Sequence, residues 1–331
     1  MKVLHAIWDG LLPEERLIGL ILLLVGVGFQ AAGLGFQVSR IVDGYSTMFG
    51  FNLALLFTAT RLRHAWRRRK GGQPDNVGFA NDIALLRSTA FLFAYLTVYS
   101  NIKARIPILN GAVHDEALRA FETAVTGADL SAAALGLSSN TALMAFLDDI
   151  YHHDYIFLTL SVFLLLDREL LGLRRLVTAM GLLYLLGVAL TAAWPTLGPC
   201  FADREAYTWL RDQGLQSWSN QEWLLKSHTA AVEAASAGEP VTARAFVGIA
   251  ALPSLHVGHC MLLCRAAWTH HRRLLLLYVP VTLLTWAATL AFGWHYLSDG
   301  LASIPLVLLS WWLAGRVVGV PAGAPYSSTP T

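Results

Sequence analysis

A helix needs roughly 20 mostly apolar residues to cross the hydrocarbon core of a bilayer. This 331-residue chain offers eight stretches that read as such helices, at about 17–37, 45–60, 83–102, 150–166, 176–194, 250–267, 274–292 and 300–313. Hydrophobic residues make up 55% of the chain and charged ones only 14%, a composition that suits lipid and starves a soluble surface. The expected fold class is therefore all-α: a polytopic membrane helix bundle of about eight transmembrane helices. The fourth and eighth stretches are short. The fourth has to begin upstream, among Asp148, Asp149, His152 and His153, which belong at an interface or in a polar cavity.

Short cytoplasmic loops carry the excess of Lys and Arg, so the basic clusters orient the bundle. The densest is Arg61, Arg63, Arg67, Arg68, Arg69 and Lys70. Fixing it in the cytoplasm and alternating from there puts Arg168, Arg174 and Arg175 inside, with Arg265, Arg272 and Arg273. The long loops around 103–149 and 195–249 then lie outside, and both termini are cytoplasmic. A net charge of +2, with its basic residues in these loops, leaves no electrostatic footprint for a nucleic-acid partner. Cys200, Cys260 and Cys264 are too few for a disulfide framework and form no CxxC pair, so they read as small apolar residues. The first apolar run is longer than a signal-peptide core and follows Glu14, Glu15 and Arg16, which marks an uncleaved span.

In the outer loop 195–248, Trp209, Trp218, Trp223, Leu224 and Leu225 alternate with charged residues at near-helical spacing. An amphipathic extracytoplasmic segment lying along the membrane explains this. An aromatic belt at headgroup level explains the tryptophans almost as well.

Two polar clusters interrupt apolar surroundings. Ala251, Leu252, Pro253, Ser254, Leu255 and His256 open the sixth span, and Phe292, Gly293, Trp294, His295 through Asp299 lead into the eighth. The alternation above puts both at the outer face, at similar depth. His295 and Asp299 are four apart, so a helix starting near Trp294 would set them on one face, with the carboxylate holding one imidazole tautomer. The other ring nitrogen is then a nucleophile, and the carboxylate stabilises the positive charge that develops as it attacks phosphorus. His256 would donate the proton to the leaving oxygen. Phosphoryl transfer further needs positive charge and N–H donors around the equatorial oxygens. Lys103 and Arg105, at the outer end of the third span, are the candidates for that charge, with headgroup anchoring as their alternative role. Ser254 would add a hydroxyl, and the first N–H groups of the sixth helix would add their dipoles. A metal held by His256, His295 and Asp299 is conceivable by ligand type, but the arrangement requires no metal and no cofactor.

These residues resemble the type 2 phosphatidic acid phosphatase superfamily, and within it the branch of inositol phosphorylceramide synthase and its bacterial relatives. The superfamily's second motif reads Pro-Ser-Gly-His. Its third reads Ser-Arg, five residues, His, three residues, Asp. Here the second is Pro253, Ser254, Leu255, His256, and the third keeps His295 and Asp299 at that spacing while Ala288 and Thr289 stand where Ser-Arg would. Leucine before the histidine and the lost arginine are typical of the synthase-like branch. The segment with Lys103, Ile106, Pro107, Asp115, Leu118 and Glu122 resembles that branch's upstream region, as does the run from Pro195 to Pro199. The first phosphatase motif, a Lys followed after six residues by Arg-Pro, is not met. By resemblance, His295 forms a phosphohistidine, Asp299 supports it and His256 protonates the leaving group, on a six-helix phosphatase-like core.

The apolar runs give two N-terminal helices and a basic loop over 1–81, outside the resemblance, which covers a catalytic membrane domain over about 82–315; a tail follows over 316–331. The resemblance implies an enzyme whose partners are membrane lipids, in a bacterial inner membrane, and the alternation of basic loops puts its site on the extracytoplasmic side. The expected activity is a lipid phosphotransferase passing a phosphorylated headgroup between lipids. A lipid phosphate phosphatase, in which water attacks the same intermediate, uses nearly the same parts. A transporter relaying protons through buried histidines is the non-enzymatic alternative, though the chain has no inverted-repeat signal.

Overall fold

The computed structural model describes residues 10–39, 41–46, 78–128, 136–165, 170–239, 241 and 248–319, with isolated positions between 58 and 69. The expected second span, most of the basic run after it and the tail beyond 319 lie outside the described residues. Among those described the chain is all helical. Its longer helices are α1 (Pro13–Ala31), α2 (Gly78–Lys103), α3 (Asp115–Thr126), α4 (Thr141–Leu165), α5 (Leu170–Ala193), α6 (Gln216–Ser236), α7 (Leu255–His270), α8 (Leu275–Ala291) and α9 (Leu297–Val318).

Three of these are long and apolar enough to cross a membrane, over Leu171–Ala193, Arg272–Ala291 and Leu297–Val318. Their outward faces carry Leu276, Leu277, Leu283, Leu301 and Leu308, with Leu276 84% exposed. A soluble protein would bury such side chains; lipid accepts them. Polar residues inside the apolar helices satisfy themselves locally: Thr97, Thr191, Thr282 and Thr285 each donate to a carbonyl one turn back, on Phe93, Gly187, Tyr278 and Val281. Helix α4 begins at Thr141, nine residues upstream of Ile150 and ahead of the Asp148–His153 stretch where the sequence set its start, and Asn140 caps it by accepting from the Leu143 N–H at 3.1 Å.

Helix α5 packs along both α2 and α9, and α7 fills the space between α5, α8 and α9. The approach of α5 to α2 depends on Gly181, where a Cβ would lie 2.2 Å from the Tyr95 ring. Tyr95, Leu176, Met180, Leu183, Leu262 and Val307 are buried in this main core. One end of the bundle is held by ion pairs from the first turn of α1. Glu14 receives Arg174 at 2.5 and 3.0 Å, and Glu15 receives Arg87, with Nε to Oε1 at 2.8 Å. The starts of α1, α2 and α5 therefore share a face. At the opposite face, where α2 ends and α7 and α9 begin, a second apolar core forms under the connecting segments from Met144, Tyr151, Cys200, Tyr207, Leu210, Leu215, Phe292 and Trp294.

That second core changes the reading of the outer loop. Trp209 packs against Phe292 with ring centroids 6.3 Å apart, and Trp218 lies under the Arg204 guanidinium at 3.4 Å. Trp223 is exposed. The segment is a folded layer over the bundle end, held by protein contacts as well as by any membrane contact of Trp223.

Candidate active site

Ser254 caps α7: its Oγ accepts from the Val257 N–H at 3.5 Å. The same residue ties α7 to α9, because its N–H donates to the Asp299 carbonyl at 3.0 Å and its carbonyl accepts from Ser303 Oγ at 2.7 Å. Just upstream, the Ala251 and Leu252 N–H groups donate to the carbonyl and hydroxyl of Thr196, both at 2.9 Å, and Thr191 donates to the Leu252 carbonyl at 2.7 Å. These bonds fix the Ala251 carbonyl in place. It accepts from His295 Nδ1 at 2.8 Å.

His295 sits on the turn between α8 and α9. Gly293 makes that turn with φ +67°, and a Cβ there would stand 2.4 Å from the Tyr207 ring. Trp294 and His295 both donate their N–H to the Thr289 carbonyl, at 2.9 and 3.3 Å. Helix α9 starts at Leu297 rather than near Trp294, so His295 and Asp299 meet through the cap of the helix and not along its face. Asp299 Oδ2 accepts from the Tyr296 N–H at 2.8 Å and stands 3.4 Å from His295 Nδ1. The closer holder of the tautomer is the Ala251 carbonyl, which no side-chain pattern announces. A carbonyl only accepts, so Nδ1 carries the proton and Nε2 is the lone-pair nitrogen.

His256, in the first turn of α7, faces His295 with ring centroids 6.4 Å apart. The Tyr151 hydroxyl lies 3.4 Å from His256 Nδ1, and the Tyr151 ring stacks on Trp294 at 5.4 Å. His152, beside it, bonds the Asp148 carbonyl through Nδ1 at 2.7 Å. Asp148 reaches across to cap α6, accepting from the Gln216 N–H at 2.6 Å and from Ser217 Oγ at 2.5 Å. Tyr151 carried no signal in the sequence beyond its place in the polar opening of the fourth span.

Carboxylates also hold the start of α9 from outside. Glu122, on α3, accepts from the Ser298 N–H at 2.9 Å and its hydroxyl at 3.3 Å. Asp115 accepts from the Leu197 and Gly198 N–H groups at 2.8 and 2.7 Å and from the Tyr296 hydroxyl at 3.1 Å. Burial pushes the Glu122 carboxyl above its usual range, against the lowering effect of the Ser298 bonds.

The remaining residues expected at the site are distributed unequally. Lys103 ends α2 with its ammonium 5.7 Å from the Tyr99 ring. Arg105 goes elsewhere. It is fully buried, and its guanidinium donates to the carbonyls of Leu34 at 3.0 Å, Asn101 at 2.9 Å and Val241 at 3.5 Å and to Asn101 Oδ1 at 3.1 Å. Those bonds tie three distant segments together and occupy the donors that a phosphate would need. The Ser254 hydroxyl faces the backbone of its own helix. Among the described residues no group of three or more His, Cys, Asp and Glu is arranged to hold a metal ion.

No curated protein and no solved structure matches the chain. A family model does, described as the PAP2 superfamily, over residues 116–313. The matched stretch is more than half of the chain and contains Tyr151, His256, His295, Asp299 and Glu122, while Lys103 and Arg105 lie outside it. With two histidines facing each other where α7 and α9 begin, and this match spanning both, the chain belongs to the PAP2 superfamily of phosphatases and phosphotransferases that act on phosphoesters.

Proposed function

We propose that the chain is an integral membrane lipid phosphotransferase, moving a phosphorylated headgroup from a donor lipid to an acceptor hydroxyl through a phosphohistidine on His295. The observation that carries this reading is the His295 Nδ1 bond to the Ala251 carbonyl, which leaves Nε2 as the attacking lone pair. Nε2 forms a bond to phosphorus, the bond to the donor's lipid oxygen breaks with its electron pair, and that oxygen takes a proton from His256. In the second half the acceptor hydroxyl returns a proton to His256 and attacks phosphorus, and the N–P electron pair goes back to Nε2.

The buried Asp299 carboxylate stands beside the imidazole that turns cationic when phosphorylated. Lys103 supplies positive charge, and the start of α7 supplies its dipole. Leu255 before the histidine, and Ala288 and Thr289 in place of Ser-Arg, favour transfer over hydrolysis, since both are typical of the synthase-like branch that the chain resembles. The outward-facing leucines support lipid as both solvent and substrate. The basic residues Arg87, Arg174, Arg272 and Arg273 lie at the bundle end away from the histidines, which supports an extracytoplasmic site in a bacterial inner membrane.

The test is the fate of phosphorus. Purified protein given a panel of headgroup-labelled phospholipids, with a diacylglycerol or ceramide acceptor, is expected to form a new labelled phosphodiester. Release of the labelled headgroup phosphate, or of inorganic phosphate from phosphatidate, as the only labelled product would make it a hydrolase, and no turnover across the panel would remove the enzymatic reading.

A further inference from the structure

The two histidines differ in what meets Nδ1. For His295 it is a main-chain carbonyl, which can only accept, so this ring is held in one tautomer. For His256 it is the Tyr151 hydroxyl at 3.4 Å, which can donate or accept. An acid that turns into a base through Nε2 within one cycle needs its other ring proton held on Nδ1 throughout, and this hydroxyl can do that as an acceptor. When His256 is cationic the hydroxyl accepts from Nδ1–H, and after Nε2 has given up its proton the same contact keeps the Nδ1–H tautomer, with Nε2 ready to receive. From this we infer that Tyr151 is a positioning residue for the acid and base His256, a role that rests on the reaction proposed above.

The placement of Tyr151 is built from several directions. The residue is 5% exposed, and its ring contacts the His256 ring at 4.7 Å and stacks on Trp294 at 5.4 Å with planes 18° apart. Trp294 in turn donates through Nε1 to Ser217 Oγ at 3.3 Å. That same hydroxyl donates to Asp148, one turn before Tyr151 on α4. The ring is therefore gripped by the nucleophile's neighbour and by the cap of α6, and the hydroxyl meets His256 with little freedom to wander.

Leaving-group chemistry separates positioning of a proton from mere packing. A lipid alkoxide leaves only if protonated, whereas p-nitrophenolate leaves without a proton. Tyr151→Phe keeps the ring stack and removes the hydroxyl. The protein is assayed with phosphatidate and phosphatidylinositol, and with p-nitrophenyl phosphate and p-nitrophenyl phosphoinositol, which carry the same two headgroups. The variant is expected to turn over the lipids about tenfold or more slowly. Its pre-steady-state burst of nitrophenolate should keep the wild-type rate within about twofold, and the burst amplitude counts the folded sites. Equal slowing of lipid turnover and burst, or no slowing of either, would overturn the role of Tyr151. A wild-type burst that survives His295→Ala would instead defeat the phosphohistidine reading, and leaves a different signature.

Discussion

His295 is buried and His256 partly so, both among aromatic rings, and their hydrogen bonds fit them for the different roles proposed. His295→Ala is expected to abolish turnover and any acid-labile phosphoenzyme. His256→Ala should leave a phosphoenzyme that forms from an activated donor and decays about 10²–10⁴-fold more slowly, measured by trapping labelled protein at low temperature. Normal rates in both variants with intact folding would refute the assignment. These residues were legible because their spacing is carried by side-chain identity. The Ala251 carbonyl was not, since any residue type supplies one, and only the Thr196 and Thr191 bonds make this one special. Arg105 is the opposite case: its charge and its place just past α2 suggest a phosphate ligand, while the carbonyls that it meets come from Leu34 and Val241, far away in sequence.

Single helices were easier to read than the pieces between them. Apolar runs located the interiors of α2, α5, α8 and α9, and they missed where α4 and α9 start, because the caps are set by Asn140, Asp299 and Glu122 rather than by hydropathy. The turn from α8 into α9 is the most sensitive of these joints. Gly293 and Gly214 share a backbone shape, with φ of +67° and +68°, but only the first has a ring against it. Gly214→Ala should cost about 1 kcal/mol, the penalty of a left-handed conformation alone. Gly293→Ala adds overpacking against Tyr207, about 1–3 kcal/mol more, and displaces Trp294 and His295. Thermal melts in detergent should rank the two in that order, and activity should fall with Gly293→Ala well beyond its loss of folded protein. Equal effects would mean that the Tyr207 contact yields freely.

At the scale of the whole molecule, the alternation of basic loops predicts a sidedness that labelling can check. In intact cells a membrane-impermeant maleimide should react with Ser236→Cys, which lies exposed near the end of α6, and should reach Arg273→Cys only after permeabilisation. The reverse pattern would invert the orientation. Hydropathy could not foresee the layer over the histidine end of the bundle, where Asp115, Asp148 and Glu122 each cross from one segment to cap or clasp another; such bonds pair residues by proximity in space and leave no periodicity behind. The bond between the Ser254 N–H and the Asp299 carbonyl, doubled by Ser303, has one more consequence. The helix bearing one imidazole is riveted to the helix that follows the other, so the two rings form a rigid calliper, and in the proposed reaction a lipid would have to bring its phosphorus to fixed jaws.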